Sequence, residues 1–242
     1  MNALLDVQGV SKSFRGLRAV TNVSLSLESN AIAALIGPNG AGKTTIFNII
    51  AGATAADAGK IVFDGTRIDG LRPDQICELG IARTFQIVKP FSGLSVLDNV
   101  IVGALKRNSR VAQARRHALH LLDQLGLGAR RDLPASALTL PDRKRLEVAR
   151  ALATGPKLLL LDEAMAGLRP TECEPLIEFL REINRREGIA ILLIEHVMRA
   201  VMALAQSVVV LHHGEVVAGG APEEVVRDRA VLECYLGEGA EI

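Results

Sequence analysis

The chain has 242 residues, 49% of them hydrophobic and 23% charged, with a formal net charge of +1 at pH 7. That length and apolar content suit a sizeable core in one or two domains. The balanced charge argues against the basic footprint of a nucleic-acid binder. The absence of Trp and a single Tyr235 argue against a platform for stacked bases.

In chain order, Leu4–Gln8 and Val23–Leu27 alternate in the manner of half-buried antiparallel strands. Ala31–Ile36 is an apolar run that enters a Gly-rich loop and then the helix-like Ile46–Ala51, which Gly52 closes as a C′ residue. Lys60–Gly65 predicts a strand into a turn, and Pro73–Leu79 a helix stopped by Gly80. Ser95 to Asp98 has the capping-box form and opens a helix to about residue 105, while Val111–Leu125 predicts a second amphipathic helix. Pro134–Leu140 is expected as a loop, followed by a helix to about Thr154. Leu158–Leu161 and Ile189–Ile194 are continuous apolar runs of the kind found in parallel strands covered on both faces. Helices are expected near Cys173–Arg186 and Val197–Ala205. A closing hairpin is expected around Gly214, with His212 and His213 at a strand end.

Cys77, Cys173 and Cys234 are odd in number and lack C-x-x-C spacing, so they are expected as reduced, mostly buried thiols of a cytosolic protein. No apolar run approaches the ~18–20 residues that span a bilayer. Met1–Asp6 lacks the basic start of a secretory leader. Any membrane association is therefore expected to run through a protein partner.

The chemistry concentrates in a few places. Gly37, Pro38, Asn39, Gly40, Ala41, Gly42, Lys43, Thr44 and Thr45 fit G-x-x-x-x-G-K-[ST] between a strand and a helix, the context a phosphate-binding loop requires. Backbone N–H groups and a helix N-terminus would face phosphate oxygens. Lys43 would reach the terminal phosphates and the Thr44 hydroxyl would hold Mg²⁺. Leu158–Leu161 ends in Asp162 and Glu163, placing two carboxylates at the sheet edge where open α/β folds bind ligands. Asp162 would hold Mg²⁺, and Glu163 would polarise the attacking water. Glu195-His196 ends the next apolar strand in the same way, where an imidazole could bond the γ-phosphate. Gln86 offers an amide donor and acceptor for Mg²⁺ and water, and Phe14 a face for adenine. Taken alone, Gln86 and Phe14 each favour a structural role over a functional one.

These elements in this order resemble the ATP-binding subunits of ABC transporters over essentially the whole chain. Gly80–Gln86, Ile194–His196 and Tyr235–Glu238 look most like the branched-chain amino-acid importers. Urea, amide and lipopolysaccharide transport ATPases share much of that pattern. The resemblance implies an α/β P-loop NTPase core with an antiparallel β subdomain and an inserted α-helical subdomain, divided as residues 1–89, 90–155 and 156–242. It makes residues 37–45 Walker A, Asp162 and Glu163 the end of Walker B, Gln86 the Q-loop glutamine and His196 the switch histidine. Phe14 falls at the adenine-stacking position. It further implies ATP with Mg²⁺, two transmembrane permease subunits, a second ABC ATPase subunit, indirectly a substrate-binding protein outside the membrane, and a peripheral place on its cytoplasmic side. The segment 87–100 is either a permease docking surface, with Phe91, Leu94 and Val96 exposed, or a locally buried loop.

The family's L-S-G-G-Q signature is replaced by Leu138, Thr139, Leu140, Pro141 and Asp142. Leu140 adds a side chain where the backbone must approach a phosphate, Pro141 has no N–H, and Asp142 brings a negative charge toward a polyphosphate. Thr139 and Asp142 keep a capping box and Pro suits a first helical turn, so the helix start is expected to survive while its phosphate grip weakens. Ala164 and Ala166–Arg169 also depart from the family pattern. Neutral drift is the alternative to weakened function. Two other classes stay open: a non-transport ABC ATPase of DNA repair or ribosomes, and a weakly hydrolytic nucleotide-binding subunit. The first lacks its expected coiled-coil insertion or second P-loop in this chain. The second sits poorly with the presence of Lys43, Asp162, Glu163 and His196.

Overall fold

The computed structural model describes residues 3–86, 88–108 and 110–236. Its central sheet is made of the apolar runs. β3 (Ile32–Ile36), β7 (Leu158–Asp162) and β8 (Ala190–Ile194) are buried along their whole length. With β6 (Ile81–Arg83), β9 (Ser207–His212) and β10 (Glu215–Gly220) they form a six-stranded sheet in the order β10-β9-β3-β8-β7-β6. All its pairings are parallel except that of the β9–β10 hairpin. Side chains alternate between faces along a strand. Ile32, Ala34 and Ile36 therefore join one core, and Ala33 and Leu35 another. Both faces need cover, which is why these strands are continuously apolar.

The second core lies against a four-stranded antiparallel sheet in the order β2-β1-β4-β5. Its strands are β1 (Leu5–Phe14), β2 (Leu17–Leu27), β4 (Ala58–Phe63) and β5 (Thr66–Arg67). β1 and β2 are longer than their alternating patches suggest, because irregularities between Val7 and Ser13 let pairing continue past the clean alternation. Phe14 consequently ends a strand and does not sit in an open loop.

The first core continues from the sheet into α3 (Val96–Ala104), α4 (Val111–Gln124) and α5 (Leu140–Ala153). Ser95 caps α3 by accepting the Asp98 N–H at 3.0 Å. Thr139 occupies the same position on α5. The 134–140 segment contains a 3-10 turn at Ala135–Ala137, and Leu140 already belongs to α5. Of the thiols only Cys173 is buried; Cys77 and Cys234 are half-buried on short helices near the surface. α1 (Lys43–Ile50), α2 (Pro73–Leu79), α6 (Pro170–Glu187) and α7 (Met198–Leu204) match the expected helices. α8 (Pro222–Val225) and α9 (Arg229–Leu236) close the chain. Among the described residues no helix is long and apolar enough to cross a membrane.

The register sets up the site. Asp162 pairs with Ile194, and Leu35 also pairs with Ile194. The carboxyl ends of β3, β7 and β8 therefore lie side by side, and the residues that follow them share one edge.

Candidate nucleotide-binding and catalytic site

The Gly-rich loop runs from the end of β3 into α1, with Gly42 as N-cap in the left-handed region at φ 103°. A Cβ on Gly42 would come within 2.6 Å of the Ala19 carbonyl oxygen on β2, and one on Gly214 within 2.8 Å of the same atom. Gly214 also donates its N–H to Ala41 O at 3.0 Å and accepts from Thr21 N at 2.8 Å. The loop is thus anchored to the antiparallel sheet and to the β9–β10 turn at once.

Lys43 turns back over its own loop, donating to Gly37 O at 2.6 Å and Pro38 O at 2.9 Å. Burial pushes its pKa down, while the nearby charges of Glu163 and Asp162 push it up. The loop residues Asn39–Thr45 share an open cleft of about 300 Å³ with Ala19, Gln86 and Glu163. Gln86 Nε2 donates to Glu163 Oε2 at 2.9 Å. His196 Nδ1 lies 4.0 Å from Glu163 Oε1. Glu163 itself holds φ of 50°, in the left-handed region, a conformation that non-glycine residues adopt uncommonly.

An adjoining cavity of about 410 Å³ is lined by Thr44, Gln86 and Asp162 together with Arg83, Lys89 and Arg150. Asp162 is 1% exposed; Oδ2 accepts from Arg83 at 2.8 Å, and Oδ1 is buried with no hydrogen-bond partner among the described residues. A hydroxyl, an amide oxygen and a carboxylate are hard oxygen donors of the kind Mg²⁺ takes beside a nucleotide. The orphaned Oδ1 gives such an ion, or its water, a reason to be there. The residues present fit the ion. No cluster of three or more His, Cys, Asp or Glu suited to a metal occurs among the described residues.

The other expected residues fall less simply. Phe14 is half-exposed beside the β1–β2 turn, with Lys12 Nζ 5.5 Å from its ring centre, and it does not line the cleft. Asp142 is buried and turned inward. It accepts from Thr139 Oγ1 at 3.0 Å and pairs with Arg130 at 3.2 Å. Its charge is thus neutralised within the helical layer and is not presented to a phosphate. Leu140 is exposed at the helix start, beside Pro141. In the 87–100 segment Phe91 and Leu94 are exposed, but Val96 is fully buried. Ile87, and Gly237 and Glu238 at the end of the chain, lie outside the described residues. Phe91 lines, with Phe85, Cys77, Val102 and Arg150, a largely apolar groove of about 330 Å³ between α2, α3 and α5.

Several residues escape a sequence reading. Arg83 bridges Asn48 Oδ1 on α1 at 2.6 Å and Asp162 on β7, with its guanidinium over the rings of Phe47 and Phe85. Lys144, Glu147 and Glu195 are buried. Burial raises the pKa of both Glu147 and Glu195. Glu195 Oε1 accepts from Met165 N at 2.8 Å, tying the strand that carries His196 to the segment after Glu163. The only signal in the sequence is a charged residue beside a motif, which looks the same whether it points to solvent or inward.

The comparisons with known proteins agree with this geometry. Residues 20–166 match the ABC transporter family, and residues 215–241 match the branched-chain amino acid ATP-binding cassette transporter family. The chain is 40% identical to the high-affinity branched-chain amino acid transport ATP-binding protein LivG of Salmonella typhimurium, over 97% of this chain and 98% of that protein. It is 35% identical to BraF of Pseudomonas aeruginosa, which carries the same description, at the same coverage. The crystal structure of a nucleotide-free ATP-binding cassette from an ABC transporter superposes with a TM-score of 0.89 at 29% identity, covering 98% of this chain and all of the other. A P-loop, a strand-end acid and a glutamine meet in one cleft on this fold, with the second acid in the adjoining cavity, and the chain belongs to the ABC transporter family as an ATP-binding, ATP-hydrolysing subunit.

Proposed function

We propose that this chain energises import of branched-chain or related amino acids through a pair of membrane permeases, hydrolysing ATP held with Mg²⁺ on the cytoplasmic side of the membrane. The observation that carries the reading is the single cleft shared by Lys43, Thr44, Gln86 and Glu163. The names of LivG and BraF supply the substrate class. Residues 90–155 are assigned as the helical subdomain, and the groove beside Phe85 and Phe91 as the permease contact.

In the proposed reaction the backbone N–H groups of residues 39–45 and the Lys43 ammonium grip the triphosphate tail. Their donors are fixed before charge develops, which favours the transition state over the ground state. Glu163 accepts a proton from the attacking water. Gln86 and His196, both beside Glu163, orient that water and the γ-phosphate. Thr44, Gln86 and Asp162 would hold Mg²⁺. When bound, the ion neutralises phosphate charge and draws electron density from the bond that breaks. Phe14 is assigned to the edge of the adenine. Because the Phe14 ring lies outside the cleft lining, its contribution is to affinity alone.

A dimer is needed because the signature of one subunit completes the site of the other, as the resemblance implies. Leu138–Asp142 offers Thr139 Oγ1 already bonded to Asp142, an exposed Leu140 and no N–H at Pro141. We therefore assign the partner as a second ABC ATPase with an intact signature, giving one strong and one weak site. A homodimer that hydrolyses ATP cooperatively at full rate contradicts this assignment. Uptake of labelled leucine, isoleucine and valine by vesicles carrying the complete complex tests the transport reading. Uptake that persists unchanged with Glu163→Gln in this chain refutes it.

A further inference from the structure

Lys144 is buried in α5, yet it forms no ion pair among the described residues. Its Nζ donates at 2.6 Å to the main-chain carbonyl of Glu163. An ammonium without such a partner would not stay out of water. The carbonyl it holds belongs to the one acidic residue, among the described residues, that combines a left-handed backbone with a place in the cleft. The same carbonyl accepts from Ala166 N at 3.2 Å, and Glu163 N donates to Ile194 O at 2.9 Å. Lys144 is the only side chain in this set, and it reaches in from a different layer of the fold.

One turn further along α5, on the same helix face, Glu147 accepts the N–H of Phe85 at 2.9 Å. Phe85 precedes Gln86, whose amide bonds Glu163 Oε2 at 2.9 Å. The contacts close into a ring: α5 to Glu163 through Lys144, Glu163 to Gln86, and Gln86 back to α5 through Phe85 and Glu147. Arg150, another turn along, donates to Lys89 O at 3.2 Å on the far side of Gln86.

We propose that Lys144 and Glu147 are positioning residues, which hold Glu163 and Gln86 at their mutual distance and angle by gripping the backbone beneath them. This rests on the assignment of Glu163 as the water-polarising carboxylate. A small misplacement of a catalytic group costs rate far more than it costs binding. Loss of the grip therefore lowers turnover and spares nucleotide affinity.

The test uses the complete complex, in which this chain is paired with its ATPase partner, in excess over labelled ATP, reading the single-turnover rate and, with a fluorescent nucleotide, the Kd. Lys144→Met is expected to lower the rate about tenfold to hundredfold and to change Kd less than about threefold. Lys144→Arg, which keeps a cationic donor, is expected to recover most of the loss. Glu147→Leu is expected to run about tenfold or more below Glu147→Gln, which keeps an acceptor for the Phe85 N–H. This second pair decides the matter if Lys144→Met does not fold. In a Glu163→Gln background Lys144→Met is expected to add little, because groups acting as a unit are not additive. A normal rate in Lys144→Met, a Kd that rises as much as the rate falls, or equal rates for the two Glu147 variants overturns the proposal. Full turnover in Glu163→Gln alone overturns the role of Glu163 as well. An inactive Glu163→Gln beside a fully active Lys144→Met overturns only the positioning role.

Discussion

Arg83 and Asp162 are 79 residues apart in sequence and 2.8 Å apart in space, and both side chains are almost wholly withdrawn from water. The guanidinium spends its second arm on Asn48 at 2.6 Å, so one cation joins the helix after the phosphate loop to the strand that carries the acids. Removing one partner of a buried pair leaves the other charge uncompensated, at about 3–5 kcal/mol. Arg83→Leu is expected to lose about that much in denaturant unfolding. Arg83→Lys, which cannot span two acceptors in a planar fork, is expected to recover only part of it. A loss under about 1 kcal/mol for Arg83→Leu would show the pair to be incidental.

Lys43→Ala removes the cation at the mouth of the loop. A hydrogen bond to a charged group contributes about 1.5–3 kcal/mol, so nucleotide Kd is expected to rise about tenfold to hundredfold by isothermal titration. The two carbonyls that Lys43 now satisfies, on the buried Gly37 and the half-buried Pro38, lose their donor. Stability is therefore expected to fall as well, by about 1–3 kcal/mol in denaturant unfolding. Unaltered affinity would remove Lys43 from the grip.

Glu163→Gln keeps the size and the hydrogen bond to Gln86 but loses the proton acceptor. Binding is expected to hold and phosphate release to fall about 10²–10⁴-fold. The measurement is equilibrium binding alongside a phosphate-release assay on the same preparation. Undiminished release excludes Glu163 as the base.

Glu195 sets a pH dependence. It is buried, burial raises its pKa, and one of its oxygens has no partner among the described residues. The Lys144 ammonium and the His196 imidazole face it as groups that favour its carboxylate, Glu163 as a like charge, and the Cys173 thiol lies nearby. A carboxyl whose folded pKa stands above its unfolded value stabilises the fold fully below the unfolded pKa, near 4.3. That contribution is lost as pH rises through the folded value. Glu147 acts in the same direction. Glu195→Gln does not titrate, so its stability relative to wild type is expected to be higher at pH 8 than at pH 5, read from urea midpoints. A difference independent of pH contradicts the buried, raised state.

The phosphate loop, the acids after β7 and the strands themselves were legible because each is a local pattern. A Gly-rich turn between an apolar run and a helix has few other uses, and continuous apolar runs mark strands covered twice. Arg83, Lys144 and Glu147 were not legible, since their partners come from elements brought together only by the sheet order. Asp142 shows the opposite failure. The helix start at Thr139 followed from the capping pattern, but the direction of the carboxylate depends on Arg130, which no spacing rule connects to it.

Gly42 lends the nucleotide only its backbone and Gly214 lies outside the cleft, yet both press against the same carbonyl of Ala19. The seam between the two sheets therefore runs directly beneath the phosphate-gripping loop, with no room for a methyl group. Drift in this neighbourhood is constrained from both sides at once. A larger residue at either position would wedge the antiparallel layer away from the parallel one, and nucleotide binding would fail although Lys43, Thr44 and the strand-end acids were intact.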